Sequence, residues 1–208
     1  MVSVRIYDRT MRAVQRQQAR QHTLAAATKV FVTRGYHAST MDEIAQNAGY
    51  SKPALYSQFS SKLELYLAVL QDNADTLTKS VQRALHASAV NQCRLRGVVQ
   101  AFFDFVDNET QGFRLVFNSD LVSEPSVQWH VGRAHDACVS AVCEIVTHNS
   151  ELNAHQARIL AVGMVGASQF AARYWLETGR AVPKTEAVAA VIALCWGGLS
   201  QVPLHPRD

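Results

Sequence analysis

Five side chains within the 23 residues from Thr40 to Lys62 carry most of the chemistry in this chain. Thr40, Ser51 and Tyr56 offer hydroxyls, and Lys52 and Lys62 offer ammonium groups. Such groups donate hydrogen bonds to phosphate oxygens and to acceptors on base edges. Their spacing defines the elements that must position them. Thr40-x-x-Glu43 is a capping box, in which hydroxyl and carboxylate satisfy the first free N–H groups of a helix. Met41, Ile44, Ala45 and Ala48 follow at helical spacing. Gly49 stands where a helix ends in left-handed geometry. Ser51 caps a second helix and Pro53 is tolerated in its first turn. Ala54, Leu55 and Phe59 give that helix an apolar side, and Ser61-x-x-Glu64 opens another. A short helix, a glycine turn and a second helix with Lys and Tyr outward is the layout of a DNA-reading helix-turn-helix. Capped short helices also occur in proteins that never touch DNA.

Charge supplies context. Residues 1–62 hold nine Lys or Arg against three acids, a net +6, while the remainder is −3. A basic end on a near-neutral body suits a polyanion. Five of the cations, Arg5, Arg9, Arg12, Arg16 and Arg20, precede or open the first helix. They form either a basic arm along DNA or a solvated tail.

Other chemistries find little support. There is no Gly-rich phosphate loop, no His-Glu-x-x-His and no Gly-x-Ser-x-Gly. His135 and Cys138 share a helix face, but Cys143 lies around 140° away at 100° per residue, so the three do not converge on a metal. The sequence implies no catalytic residue, metal or cofactor. Cys93, Cys138, Cys143 and Cys195 are scattered, and Met1–Thr10 is too charged for a signal peptide. The expected setting is the cytoplasm with reduced thiols. The longest apolar run, Ile159 to Ala172, is too short and too polar to span a bilayer.

The periodicity predicts an all-α chain of about nine helices. The first runs from about Arg16 to Arg34. A long fourth helix, from Ser61 to about Leu85, joins the basic end to the body. Later helices cover roughly 92–107, 112–120, 125–148, 153–178 and 184–199. The expected division is a DNA-binding unit at 1–62 and a helical unit at 63–208 for ligand binding and dimerisation.

The stretch from Ala25 to Leu65 closely resembles the DNA-binding region of TetR-type transcriptional regulators. The resemblance rests on Phe31-Val-Thr-Arg-Gly-Tyr, Thr40-Met-Asp-Glu-Ile-Ala, Ala48-Gly-Tyr-Ser-Lys, Leu55-Tyr56, Phe59 and Ser61-Lys62. It implies a homodimer of nine-helix chains. Thr40, Tyr56 and Lys62 would then meet phosphate or sugar, and Ser51, Lys52 and Pro53 would stand beside base edges. Ser57 and Gln58 replace residues that are aromatic and basic in many such proteins, but they still offer hydrogen bonds to phosphate.

The resemblance also implies a ligand cavity. Phe102, Phe105, Phe117 and Trp129 are candidate walls, with His130, Gln128, Asn118 and Arg114 as polar groups; an aromatic stripe on amphipathic helices is also ordinary core. Ile159–Ala172 is apolar or small on every side, so a partner's equivalent helix is expected to cover it. Gly163, Gly166, Ala167 and Phe170 would lie in that seam, with Ile192 and Trp196 from the last helix. The implied function is a repressor bound to a pseudo-palindromic operator as a homodimer and released by a small, largely apolar effector. A regulator with no small-molecule inducer is the alternative, and a helical enzyme or carrier the third reading.

Overall fold

The computed structural model describes residues 2–108, 112–117, 121 and 123–199, the side chains of residues 2–10, 12, 13 and 199 excepted. Among them are nine helices and no strands. The basic end holds α1 (Val2–Ala38), α2 (Met41–Asn47) and α3 (Lys52–Gln58). The body holds α4 (Lys62–His86), α5 (Asn91–Val106), α6 (Phe113–Phe117), α7 (Pro125–Asn149), α8 (Ala154–Glu177) and α9 (Lys184–Leu199).

The first helix departs from expectation. It begins at Val2 rather than near Arg16. No glycine or proline occurs between Val2 and Arg34, and nine of the ten residues 12–21 are Arg, Gln or Ala, strong helix formers. Gly35, at φ 74° and ψ 168°, breaks the regular geometry three residues before the end.

α4 is the spine. It packs on α1 at one end and on α5 and α7 at the other, while α8 lies on α5, α7 and α9. Its inward residues, from Leu65 through Val69, Leu70, Leu77 and Val81 to Leu85, are all buried. The joint with α1 is aromatic. Phe31 and Tyr66 meet edge to face at 5.0 Å, and Tyr36 meets Tyr66 at 5.2 Å. Edge-to-face rings add about 0.5–1.5 kcal/mol each beyond their burial.

Charged ties close the far end. Gly179 (φ 72°) and Arg180 (φ 60°) turn the chain out of α8, and the Trp175 indole N–H donates to the Val182 carbonyl at 2.8 Å. The Arg180 guanidinium reaches Asp107 at 2.8 Å, and Lys184 bridges Asp104 (2.8 Å) and Asp107 (3.0 Å). Partial burial works against the Asp107 carboxylate, but these two cations outweigh it and hold its pKa below the ordinary range.

Candidate nucleic-acid interface

Both short helices are capped from within the motif. Thr40 Oγ1 accepts from the Glu43 N–H at 3.2 Å, and Ser51 Oγ from the Ala54 N–H at 3.4 Å. Gly49 adopts φ 67° between them, and the Tyr50 N–H closes the turn on the Ala45 carbonyl at 2.9 Å. The capping boxes differ from the expected pairing in their carboxylates. Glu43 pairs with Arg34 at 2.6 Å rather than with the Thr40 N–H. Glu64 accepts from the backbone and hydroxyl of Ser60, one residue before the cap. Those two bonds hold its pKa down.

Leu55 and Phe59 are buried against the core. Ser51, Lys52, Pro53, Tyr56 and Ser57 remain exposed on α3, and Thr40 is exposed at the start of α2. These six put hydroxyls, a ring and a cation at the surface. The Ser57 hydroxyl donates to the Ala54 carbonyl at 2.7 Å, which leaves its lone pairs outward.

Two predicted contacts are placed differently. Gln58 turns toward α1, where its Oε1 accepts from the Thr23 hydroxyl at 3.1 Å. Lys62 spends its ammonium on the end of α1. Its Nζ donates to the carbonyls of Tyr36 (2.7 Å), Ser39 (2.9 Å) and, more weakly, His37 (3.5 Å), and lies 4.4 Å from the centre of the Tyr36 ring. The physical reason is that the last carbonyls of a helix lack intrahelical partners and attract cations.

Lys52 is also engaged. Its Nζ lies 2.9 Å from Asp42 Oδ2, both side chains more than half exposed. That hydrogen bond, and then the carboxylate's charge, raise the lysine's pKa. The pair holds an anion beside the reading surface and competes with phosphate for the same cation. Asp42→Asn should therefore tighten binding to any duplex about 3- to 10-fold at low salt, a gain that fades as salt screens the pair. Fluorescence anisotropy at two salt concentrations checks this; unchanged or weaker binding would show that Asp42 does not restrain Lys52.

In the body, Phe102 is buried and Phe117 half-buried. With Leu77, Ala134, His135, Cys138, Val165 and Gln169 they line a gap of about 10 Å³. Phe105 meets Phe117 edge to face at 5.9 Å. Phe105 also borders an open groove of about 770 Å³, lined from α1 by Thr28, Lys29 and Val32 and from the body by Asn73 and Arg114. Trp129 does not line the interior: it is 56% exposed, with the Arg133 guanidinium 4.7 Å from its ring centre. The reason is register. Nine residues separate Trp129 from buried Cys138, about half a turn off the inward face at 100° per residue. His130 Nδ1 lies 2.9 Å from Gln71 Oε1, and burial followed by the charge of Arg133 lowers its pKa. Burial pushes the Cys138 thiol up to about 11, so it stays protonated. Asn118 lies outside the described residues.

Among the described residues, nothing covers the outer face of α8. Ile159 (71%), Val162 (46%), Phe170 (61%) and Tyr174 (69%) are exposed. Gly163 is exposed, Gly166 and Ala167 are half-buried, and nothing stands within 4 Å of where a Cβ on either glycine would lie. On α9, Ile192 is not in this face. It is 5% exposed and belongs to the chain's own core, because it shares the inward side with Val188 and Val191. Trp196 is half-buried, and Leu194, which sequence reasoning missed, is 70% exposed.

A capped helix-turn-helix joined by one continuous helix to an all-helical body is the layout of a DNA-binding transcription regulator. The sequence pattern of the bacterial regulatory proteins of the tetR family matches residues 24–69, and that of the tetracyclin repressor-like C-terminal domain matches residues 92–198. The chain belongs to this family, whose members are regulators and not enzymes. It is 51% identical over 189 residues to the HTH-type transcriptional activator FasR of Mycolicibacterium smegmatis, an alignment covering 91% of this chain and 86% of that protein. The fold is similar to that of the transcriptional regulator FadR from Bacillus subtilis in complex with stearoyl-CoA (TM-score 0.72, 16% identity, 86% of this chain and 98% of that one). It is also similar to AibR in complex with isovaleryl coenzyme A and operator DNA (TM-score 0.65, 15% identity, 85% and 97%). No helix among the described residues is long and apolar enough to cross a membrane.

Proposed function

We propose that this chain is an effector-controlled regulator that acts as a homodimer on a pseudo-palindromic operator, with residues 1–62 binding DNA and 63–208 receiving the effector and the partner. The α8 face supports the dimer, since its exposed Ile159, Val162, Phe170 and Tyr174 suit a second copy of themselves. Thr40, Ser51, Lys52, Pro53, Tyr56 and Ser57 are the DNA contacts of this reading. The relative from Mycolicibacterium smegmatis is named an activator. Activation is therefore taken as the sign, in place of the repression expected from sequence.

For the effector we infer an acyl thioester of coenzyme A. Two proteins of the same fold were solved with such ligands, and Leu77, Phe102, Phe117 and Val165 are a fitting lining for an acyl chain. The observation that carries the reading is α4, one helix from Lys62 beside the reading surface to His86 in the body. A ligand that favours one tilt of α4 changes the spacing of two α3 helices that must sit about 34–36 Å apart.

The test is linkage. Stearoyl-CoA should change operator affinity roughly 5- to 150-fold, and operator should change stearoyl-CoA affinity by the same factor. Free coenzyme A is the control. A second reading is a regulator with no small-molecule inducer, which the small gap among the described residues around Phe102 supports. Acyl thioesters of every length leaving both operator affinity and thermal stability untouched would select it.

A further inference from the structure

We propose that the amino-terminal half of α1 is a second DNA-binding element, a helix with a stripe of arginine positions that grips phosphates flanking the operator outside the helix-turn-helix. The proposal rests on the operator-binding reading above and adds a surface to it. Residues 2–23 precede the stretch matched by the family's DNA-binding pattern. They continue the same helix that packs against α2 and α4. Arg5, Arg9, Arg12, Arg16 and Arg20 follow one another at spacings of four, three, four and four. At 100° per residue these five positions fall within an arc of about 80°, and the helical rise spreads them over about 22 Å. A tail without structure would have no use for that register.

The stripe is oriented by its last member. The Arg20 guanidinium lies 4.6 Å from the centre of the Phe59 ring, and Phe59 terminates α3. Arg20 thus puts its own side of α1, the side on which the five positions lie, next to the reading helix's carboxyl end. Arg16 is exposed, and Asp8 is the one acid before Asp42. Duplex DNA carries about one charge per 1.7 Å of axis, so a 22 Å stripe matches roughly six base pairs of one strand. Arginine suits the task, since its planar fork bonds phosphate oxygens in pairs. An anionic bilayer is the competing partner. The opposite arc holds Val4, Tyr7, Met11 and Val14, the last two 43% and 44% exposed. It lacks the Leu, Phe or Trp that seat an interfacial helix.

The experiment uses the full chain with Arg5, Arg9, Arg12 and Arg16 all changed to Gln, or all to Lys, and leaves Arg20 in place. Affinity is measured for the operator with and without about ten base pairs of unrelated flank on each side, across a salt series. The expected result is that wild type gains at least about tenfold from the flanks at low salt and the Gln variant gains little. The slope of log K against log salt should flatten by at least about 2 in the Gln variant, since each lost phosphate contact removes about 0.9. The Lys variant should keep most of the slope. Identical slopes and flank dependence in wild type and the Gln variant overturn the proposal. Equal losses in the Gln and Lys variants overturn it too, because they mark a folding role. So does tighter binding of wild type to phosphatidylglycerol vesicles than to random duplex at the same salt, which would assign the stripe to a membrane. If wild type retains neither operator nor random duplex, the regulator reading itself has failed, stripe included.

Discussion

Gly166→Arg is expected to turn the protein into a folded monomer whose operator affinity is at least about 100-fold weaker. Among the described residues nothing lies within 4 Å of a Cβ at this position, so the arginine meets open space among them. Mid-helix, the exchange also replaces the poorest ordinary helix former with a good one. The substitution therefore acts on assembly alone. In the proposed dimer the same position faces its own symmetry mate, flanked by Phe170 and Val162, and two guanidinium groups would be driven into an apolar seam. Losing the partner removes the effective concentration that makes the second half-site contact intramolecular, typically worth a factor of 10² to 10⁴. Sedimentation at micromolar concentration and operator titration check the two halves of the expectation. A dimer that survives Gly166→Arg would place the seam elsewhere.

Lys62→Met is expected to destabilise the fold by roughly 2–4 kcal/mol. Hydrogen bonds from a charged donor contribute about 1.5–3 kcal/mol each, and the partial exposure of Lys62 reduces the sum of the three. Methionine fills the same space and supplies no donor, so the carbonyls of Tyr36 and Ser39 lose their tie to α4. For a chain of this size that is a fall in melting temperature of about 5–15 °C. Operator affinity should fall because α1 and α4 no longer fix the reading helix, while the salt slope stays unchanged. An unaltered melting temperature with a slope flattened by about 0.9 per protomer would instead make Lys62 the phosphate contact that the sequence suggests.

The helix-turn-helix was legible because its signals are local. Thr40, Gly49, Ser51 and Pro53 each fix the backbone within a few residues of themselves, and Leu55 and Phe59 mark the inward side of α3. The bonds of Lys62 to the end of α1 are not legible in the sequence because the partners lie 23 to 26 residues upstream, and spacing along the chain carries no record of that approach. α1 was cut short because a run of arginines reads as solvated chain, although Arg, Gln and Ala without a break favour helix. Trp129 was recoverable: counting nine residues to Cys138 puts it on the opposite side of α7. Ile192 was not, because α9 is apolar on nearly every side and periodicity then names no inward face. Its inward side is decided by α5 and α8, which pack against it.

The near-absence of empty space among Leu77, Phe102, Phe117, Cys138 and Val165 has a consequence for how the proposed effector would be selected. A preformed cavity takes any ligand that fits, at a rate set by diffusion. A packed interior must first be parted, and the conformer able to receive a chain is a minor one, so apparent affinity is the intrinsic affinity scaled by that small population. A short acyl group brings too little apolar surface to offset the separation of the helices. Each further methylene contributes about 0.8 kcal/mol, so beyond a threshold length the balance tips. A bundle that takes its ligand through this cluster would measure it as a ruler with a dead zone: insensitive to short chains, then steeply responsive to longer ones.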